Sequence, residues 1–344
     1  DFDPDNVTIT VGAGATLASV QQAVHGAGLQ APLDPSHAGA ATIGGILATG
    51  VGGPRRLLYG APRDLALGVR VALPSGETIK AGGKTVKNVA GFDLTKLFVG
   101  SMGTLGLMVE ATLRLRPLPP AKRTLLLSTE THSEMRALLK RILAGSQLAP
   151  AALEMVNAPA SSLIAEGSGL KLRDGPLLLV ELEGLAPDVE AQTSRLSELA
   201  PILELEETAA LWELLSNGLP GEVKARAGVP LGKVVFFVEA AEGAAQARGL
   251  ACPALAQAGS GIVRLFPRPL AGATANGVPE FLREARSLAV TMGGYLVLEE
   301  ATPEIKKIVG VGVDTGASSP AARRLKAVFD PKGVMNPGVF VGEI

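Results

Sequence analysis

The sequence predicts an α+β protein of two domains, and three observations carry that prediction. Its 344 residues exceed what one ordinary core encloses, since domains run to roughly 100–200 residues. Residues 42–117 crowd glycines beside apolar runs, whereas from Lys122 onward strand-like runs alternate with amphipathic helical patterns. A proline cluster, Pro117 to Pro120, separates these regimes and marks the expected boundary. The expected division is 1–120 and 121–318, with 319–344 as a closing segment.

In chain order, VTITVGAG at 7–14 alternates like a strand ending in a glycine turn. TLASVQQAVHGAG follows with helical spacing and a Gly26/Gly28 stop. LALGVRVALPSGETIKAGG at 65–83 reads as a hairpin turning at PSG, 74–76. LTKLFVGS is a short helix capped by Asp93, and TLGLMVEATLRLRPLPP is a long strand stopped by proline. In the second domain 125–129, 177–184, 234–240, 262–266 and 295–301 read as strands. Segments near 133–145, 187–200, 243–258 and 279–292 read as helices, giving a sheet with helices on one face. Residues 323–340 form a helix running into two proline turns.

Two glycine clusters carry the functional signal: TIGGILATGVGG at 42–53 and GSMGTLG at 100–106. Glycine costs about 0.5–1 kcal/mol against alanine inside a helix or strand. The first cluster is therefore expected to be neither, but backbone that turns or touches something closely. Joined by KNVAGFDLTKLFVG, the pair points to a ligand whose flat, phosphate-bearing body lies against bare backbone.

Composition removes several function classes. Net charge is −1, from 32 Lys+Arg against 33 Asp+Glu, and aromatics are 3%, which disfavours nucleic-acid binding. The chain is 47% hydrophobic, yet no apolar run approaches the ~18–20 residues of a spanning helix. No direct membrane span is expected. The single cysteine, Cys252, excludes an internal disulfide framework and any multi-cysteine iron–sulfur or zinc site, and no metal site is expected. Histidines occur at 25, 37 and 132 and nowhere beyond.

Familiar motifs fail in turn. VGAG at 11–14 would need glycine at 17 to continue a dinucleotide fingerprint, and Leu17 stands there. GGKT at 82–85 would need glycine at 78 to make a phosphate loop, and Thr78 stands there. Ser101 in GSMG has the wrong frame for a nucleophile elbow.

The order of residues 42–117, together with FDPKGVMNPGVF at 329–340, resembles the FAD-linked oxidases of the vanillyl-alcohol-oxidase type. PRR, YGAPRD and LG at 54–68 make it most similar to the FAD-binding subunits of glycolate oxidase complexes. The resemblance implies FAD held in a cleft between two α+β subdomains, a middle domain capping the flavin, and a C-terminal segment returning to the FAD domain. It assigns Thr42, Gly44, Gly45, Ala48, Thr49, Gly50 and Gly52 to a loop whose amides line the pyrophosphate and ring, with Pro35 upstream. Convergent backbone N–H groups in such a nest suit an anion. It assigns Gly103, Gly106 and Leu107 to the adenine end. The family's further pyrophosphate loop lies upstream of the strand at which this sequence opens, so weaker FAD affinity is expected without it.

The family's catalytic members carry an H-x-G-D-G-N-type motif in the C-terminal half, and no histidine occurs in that half here. The resemblance therefore implies a flavin-binding subunit of a heteromeric 2-hydroxy-acid oxidase, working in the cytoplasm beside a catalytic flavin subunit and an iron–sulfur subunit. A non-catalytic scaffold that has lost FAD and a stand-alone flavin oxidase of another small alcohol or acid are the competing readings. Catalytic residues are not identifiable. His37 is a lone candidate base against a solvated loop histidine. Arg55 and Arg56 are candidates for a carboxylate or phosphate, because a guanidinium fork matches both. Lys87 and Asp93 are expected to be structural, and Asp64 to pair locally with Arg63.

Overall fold

The computed structural model describes residues 1–83, 93–144, 147–168, 175–272, 277–310 and 319–339. Lys87 and the NVAGF segment lie outside the described residues. The chain divides into two compact units, Asp1–Leu118 with Gly312–Ile344, and Pro119–Val311.

In the first unit the elements are β1 (Phe2–Asp3), β2 (Thr8–Gly12), α1 (Leu17–His25), β3 (Leu29–Gln30), α2 (Ile43–Thr49), α3 (Arg56–Tyr59), α4 (Pro62–Leu65), β4 (Ala66–Ala72), β5 (Thr78–Gly82), α5 (Thr95–Phe98), β6 (Leu107–Arg114) and β7 (Arg116–Pro117). An antiparallel sheet in the order β1-β2-β6-β4-β5 forms its floor. Helix α1 starts where the Thr16 hydroxyl accepts the Ser19 amide, and buries Leu17, Val20 and Val24 at helical spacing. The β4–β5 hairpin pairs Gly68 with Gly82. A β-carbon at Gly82 would collide with the Leu67 carbonyl and φ there is +71°, so only glycine fits. Asp93 precedes Leu94, the N-cap of α5, in place of being the cap itself, and its carboxylate accepts the Lys96 amide at 3.3 Å.

The first glycine cluster departs from expectation: residues 43–49 are helical. Thr42 caps α2, its hydroxyl accepting the Gly45 amide at 3.2 Å, and Ile43, Ile46 and Leu47 enter the core beside Val71 and Leu113. Glycine density misled because Gly44 serves packing. A β-carbon there would stand 2.8 Å from Ala13 Cβ and 3.0 Å from its carbonyl oxygen. The helix lies so close to the loop after β2 that tertiary contact outweighs propensity.

The second unit comprises β8 (Ala121–Ser128), α6 (His132–Leu143), β9 (Ala152–Val156), α7 (Ala158–Ser168), β10 (Leu177–Gly184), α8 (Ala186–Leu199), β11 (Leu203–Leu205), α9 (Ala209–Asn217), β12 (Lys224–Gly228), α10 (Val234–Gln246), β13 (Leu250–Ala251), β14 (Ala254–Gln257), β15 (Ile262–Leu265), β16 (Arg268–Pro269), α11 (Val278–Thr291), β17 (Tyr295–Glu300) and α12 (Pro303–Val309). An antiparallel sheet runs β11-β8-β10-β9-β14-β15-β12-β17. Helix α8 lies against β8 and β10, and α11 against β12 and β17.

Three expectations for this unit are corrected. Residues 234–240 are helical, not a strand: Val234, Val235, Phe237, Val238 and Ala241 are buried at helical intervals while Phe236 is exposed. The helix expected over 243–258 ends at Gln246, and Ala254–Gln257 pair in the sheet instead. Nor do helices cover one face alone. Ala160 and Ile164 of α7 and Leu211, Trp212 and Leu215 of α9 pack with Leu126, Leu177, Leu179 and Leu255, so a second layer covers part of the other face.

The closing helix α13 (Ser319–Phe329) belongs to the first unit. Its Phe329 ring meets Phe98 edge-on at 5.5 Å. Among the described residues no helix is long and apolar enough to cross a membrane.

Candidate functional site

The site is built on α2. Its first turn would ordinarily present unpaired amides, but here they are engaged. Ile43 donates to the Ala15 carbonyl at 2.9 Å, Gly44 to Ala13 at 2.8 Å, and Gly45 to Thr42. These donors therefore do not converge on open space as an anion nest would.

At its other end α2 is closed by the second glycine cluster. Gly50 adopts φ +64° and returns its amide to the Ile46 carbonyl. Gly100 donates to Leu47 at 2.8 Å and Met102 to Ala48 at 2.7 Å. A β-carbon at Gly50 would stand 3.1 Å from the Gly100 Cα. The turn itself is left-handed at Gly100 (φ +82°), Met102 (+56°) and Gly103 (+68°). Clusters far apart in sequence thus form one unit, and the candidates of 42–50 and Gly103 come together in it.

The remaining candidates are placed as follows. Gly45 is exposed, and a β-carbon there would meet only the Thr42 hydroxyl, at 3.1 Å. Thr49 is exposed too, and its hydroxyl bonds back to Gly45 O at 2.9 Å. Gly106 is glycine for packing, since its β-carbon would stand 2.5 Å from Val71 Cγ1. Leu107, at the start of β6, is 61% exposed, unusual for a leucine on a central strand. Pro35 is buried next to Asp34.

Asp34 organises the arginine loop. Its carboxylate accepts the Gly53 amide at 2.9 Å and the Arg55 amide at 2.7 Å, fixing the turn that enters α3. Arg56 runs along Gly52, its Cβ and Cδ 3.6 and 4.0 Å from where a Gly52 β-carbon would lie. Asp64 accepts the Ala61 amide at 2.9 Å, so its carboxylate caps α4, in place of the expected pairing with Arg63. His37 is exposed at φ +53°.

Sequence reasoning missed Asp34, Lys326, Asp330 and Asn336. The tail bears directly on the site: the Asn336 amide donates to Met102 O at 2.8 Å, and Lys326 Nζ to Thr104 O at 2.8 Å. The tail segment DPKGVMNP was the available signal, but nothing local tells which distant carbonyls it reaches. In the second unit Cys252 is buried; burial, and then the nearby Glu242 carboxylate, push its thiol far above the ordinary range, so it is no nucleophile. Among the described residues no three or more His, Cys, Asp or Glu side chains are grouped to hold a metal.

Residues 1–82 match the family described as FAD binding domain, and residues 118–340 match FAD linked oxidases, C-terminal domain. The chain is similar to glycolate oxidase subunit GlcD of Bacillus subtilis, 31% identical over 98% of this chain and 76% of that protein. It is 28% identical to a D-lactate dehydrogenase of Archaeoglobus fulgidus over 100% of this chain and 79% of that one. Glycolate oxidase subunit GlcE of Escherichia coli is 40% identical over 126 residues, 36% of each chain. Among solved structures, an alkyldihydroxyacetonephosphate synthase superposes with a TM-score of 0.70 at 18% identity, which shows the shared fold. The alignment covers 98% of this chain but 64% of that one, just under two thirds of its length.

The geometry fits FAD in three respects. Gly45 offers bare backbone with no internal packing reason to be glycine. The amides of Gly52 and Gly103 donate to no acceptor among the described residues. The Ser101 hydroxyl, buried in the turn between, has no hydrogen-bond partner among the described residues.

Proposed function

The chain belongs to the FAD-linked oxidase family, and from that premise we propose that it is the flavin-holding subunit of a multi-subunit 2-hydroxy-acid oxidase with glycolate as substrate. Bound FAD supplies a two-electron acceptor for oxidation of the substrate hydroxyl carbon. The chain's own residues provide the seat. Helix α2 presents Gly45 and Thr49 to solvent, Gly103 and Gly52 supply amides with no acceptor among the described residues, and Arg55 and Arg56 are the candidate contacts for a phosphate or carboxylate.

One observation carries this reading: the two glycine clusters interlock through the Gly100–Leu47 and Met102–Ala48 hydrogen bonds and leave Gly45 bare. The similarity to GlcD and to GlcE, both named as glycolate oxidase subunits, supports assignment to a complex. A single cysteine cannot ligate an iron–sulfur cluster, so any such cluster on the electron path belongs to a partner subunit. We take 1–120 with 319–344 as the FAD side and 121–318 as the cap, in a protein working in the cytoplasm and reaching any membrane through partners.

The engaged first turn of α2 favours a second reading, a scaffold subunit that no longer holds flavin. Absorption spectroscopy separates the two. Purified protein is mixed with FAD, desalted and scanned. A retained, shifted flavin band bleached by glycolate in the presence of the partner subunits supports the first reading, and a colourless protein in the assembled complex supports the second.

A further inference from the structure

The C-terminal tail reaches the glycine turn through a buried ion pair. Lys326 is 6% exposed and Asp330 2%. An ammonium has three donors, and all three of Lys326 are engaged: Asp330 Oδ2 at 2.6 Å, Met335 O at 2.6 Å and Thr104 O at 2.8 Å. Asp330 also accepts the amides of Val334 at 3.1 Å and Met335 at 2.8 Å. One residue further, Asn336 donates to Met102 O, and its amide nitrogen would lie 3.1 Å from a Gly103 β-carbon. Two carbonyls of the turn, 102 and 104, are thus held by side chains more than 200 residues away in sequence.

Stability alone explains this poorly. A buried ion pair is often no better than well-packed apolar residues, because desolvation offsets the attraction. Such a pair does fix positions, and the turn needs fixing. Met102 sits at φ +56°, a left-handed region that strains a residue with a side chain. Without the tail the turn has an incentive to relax, and the amides at Gly100, Met102 and Gly103 would move with it.

We propose that Lys326, Asp330 and Asn336 are positioning residues that hold the Gly100–Gly106 turn in its cofactor-binding shape, so that the C-terminal tail sets FAD affinity without touching FAD. This rests on the first unit being the FAD seat. The test uses the full chain as wild type, Lys326→Met, Asp330→Asn, Asn336→Ala, and Val24→Ala as a control that loosens the same core elsewhere. FAD affinity is read from quenching of flavin fluorescence, and hydrogen exchange of the 94–108 region is followed without FAD.

The tail variants should bind FAD about tenfold more weakly, as lost preorganisation implies, with Asn336→Ala the mildest. Their turn amides should exchange faster while α1 is unchanged, and Val24→Ala should lower the melting temperature and leave affinity within about twofold. Folded tail variants that bind FAD like wild type, or an affinity loss that merely tracks melting temperature across all four variants, overturn the proposal. A wild type that binds no FAD defeats the functional reading and the proposal with it. That case is distinguishable, because the exchange data still report whether the tail holds the turn.

Discussion

The amide of Met102 donates to the carbonyl of Ala48 at 2.7 Å, joining the two glycine-rich stretches into one structure. Helix α2 would otherwise end in unpaired carbonyls at Leu47 and Ala48, and the turn would otherwise lack a surface to rest on. Each stretch completes the other, which makes their glycines separable by role.

Gly44 and Gly45 are neighbours with opposite roles. Gly44→Ala pushes a methyl group into Ala13, and should destabilise by about 1–3 kcal/mol as an overpacked contact does. Gly45→Ala meets only the capping hydroxyl of Thr42 and gains helix propensity, so stability should change by less than about 1 kcal/mol. FAD affinity should nonetheless fall for Gly45→Ala, and further for Gly45→Val. Denaturant melts with FAD titrations decide this, and a Gly45→Val protein that is folded and binds FAD normally removes Gly45 from the seat.

Much of the fold was legible and the reasons are local. LLLVELEG reads as a strand and β10 is Leu177–Gly184; the 132–143, 186–199 and 278–291 helices follow their amphipathic patterns. Residues 234–240 were misread because valine and phenylalanine favour strands, and only burial against α6 and α11 selects the helix. Helix α2 was misread because a glycine that permits close approach looks, in one dimension, like one that makes a turn. Of the candidates of 42–50, Gly45 presents bare backbone, whereas Gly44 serves packing against Ala13 and Gly50 closes the helix. Asp34, Lys326 and Asn336 were not legible, since an ordinary polar side chain carries no sign of its distant partner.

Asp330 should make the tail sensitive to acid. Burial alone would raise its carboxyl, but the hydrogen bonds from Lys326, Met335 and Val334 hold it below the ordinary carboxylate range. A depressed folded pKa stabilises above the unfolded value, about 3.9, and that contribution is lost as pH falls from there through the folded pKa. Unfolding free energies measured between pH 6 and pH 2 (roughly the carboxylate range) should fall less steeply for Asp330→Asn than for wild type. Parallel slopes would show that the pair contributes nothing across that window.

Asn157 joins three segments of the second unit through four side-chain hydrogen bonds, to α7, α10 and the 252–254 stretch. Its carbonyl accepts the amides of Ala160 at 3.1 Å and Ala254 at 2.8 Å, while its amide donates to Glu242 at 2.6 Å and to Cys252 O at 2.8 Å. Replacement by alanine leaves buried groups unpaired, and should cost on the order of 3 kcal/mol. Asn157→Asp keeps the two acceptor bonds but sets a carboxylate against Glu242, so it should be no milder near neutral pH and recover in acid. Equal melting temperatures for wild type and Asn157→Ala would refute that role.

The same Glu242 gives the second unit the opposite pH dependence. Its carboxylate lies 3.2 Å from His132 Nε2, linking α6 to α10 beside the Arg136–Glu239 pair. Contact with Glu242 raises the imidazole pKa, burial opposes it, and the charges of Glu242 and Glu239 outweigh that of Arg136. A raised folded pKa stabilises fully below the unfolded value, about 6.5, and the contribution disappears as pH rises through the folded pKa. His132→Gln should therefore destabilise the protein most below the unfolded value and progressively less as pH rises through the folded pKa. The gap between wild-type and variant melting temperatures should close as pH rises. A gap that stays constant, or widens toward alkaline pH, would mean that His132 contributes by packing and not by its charge.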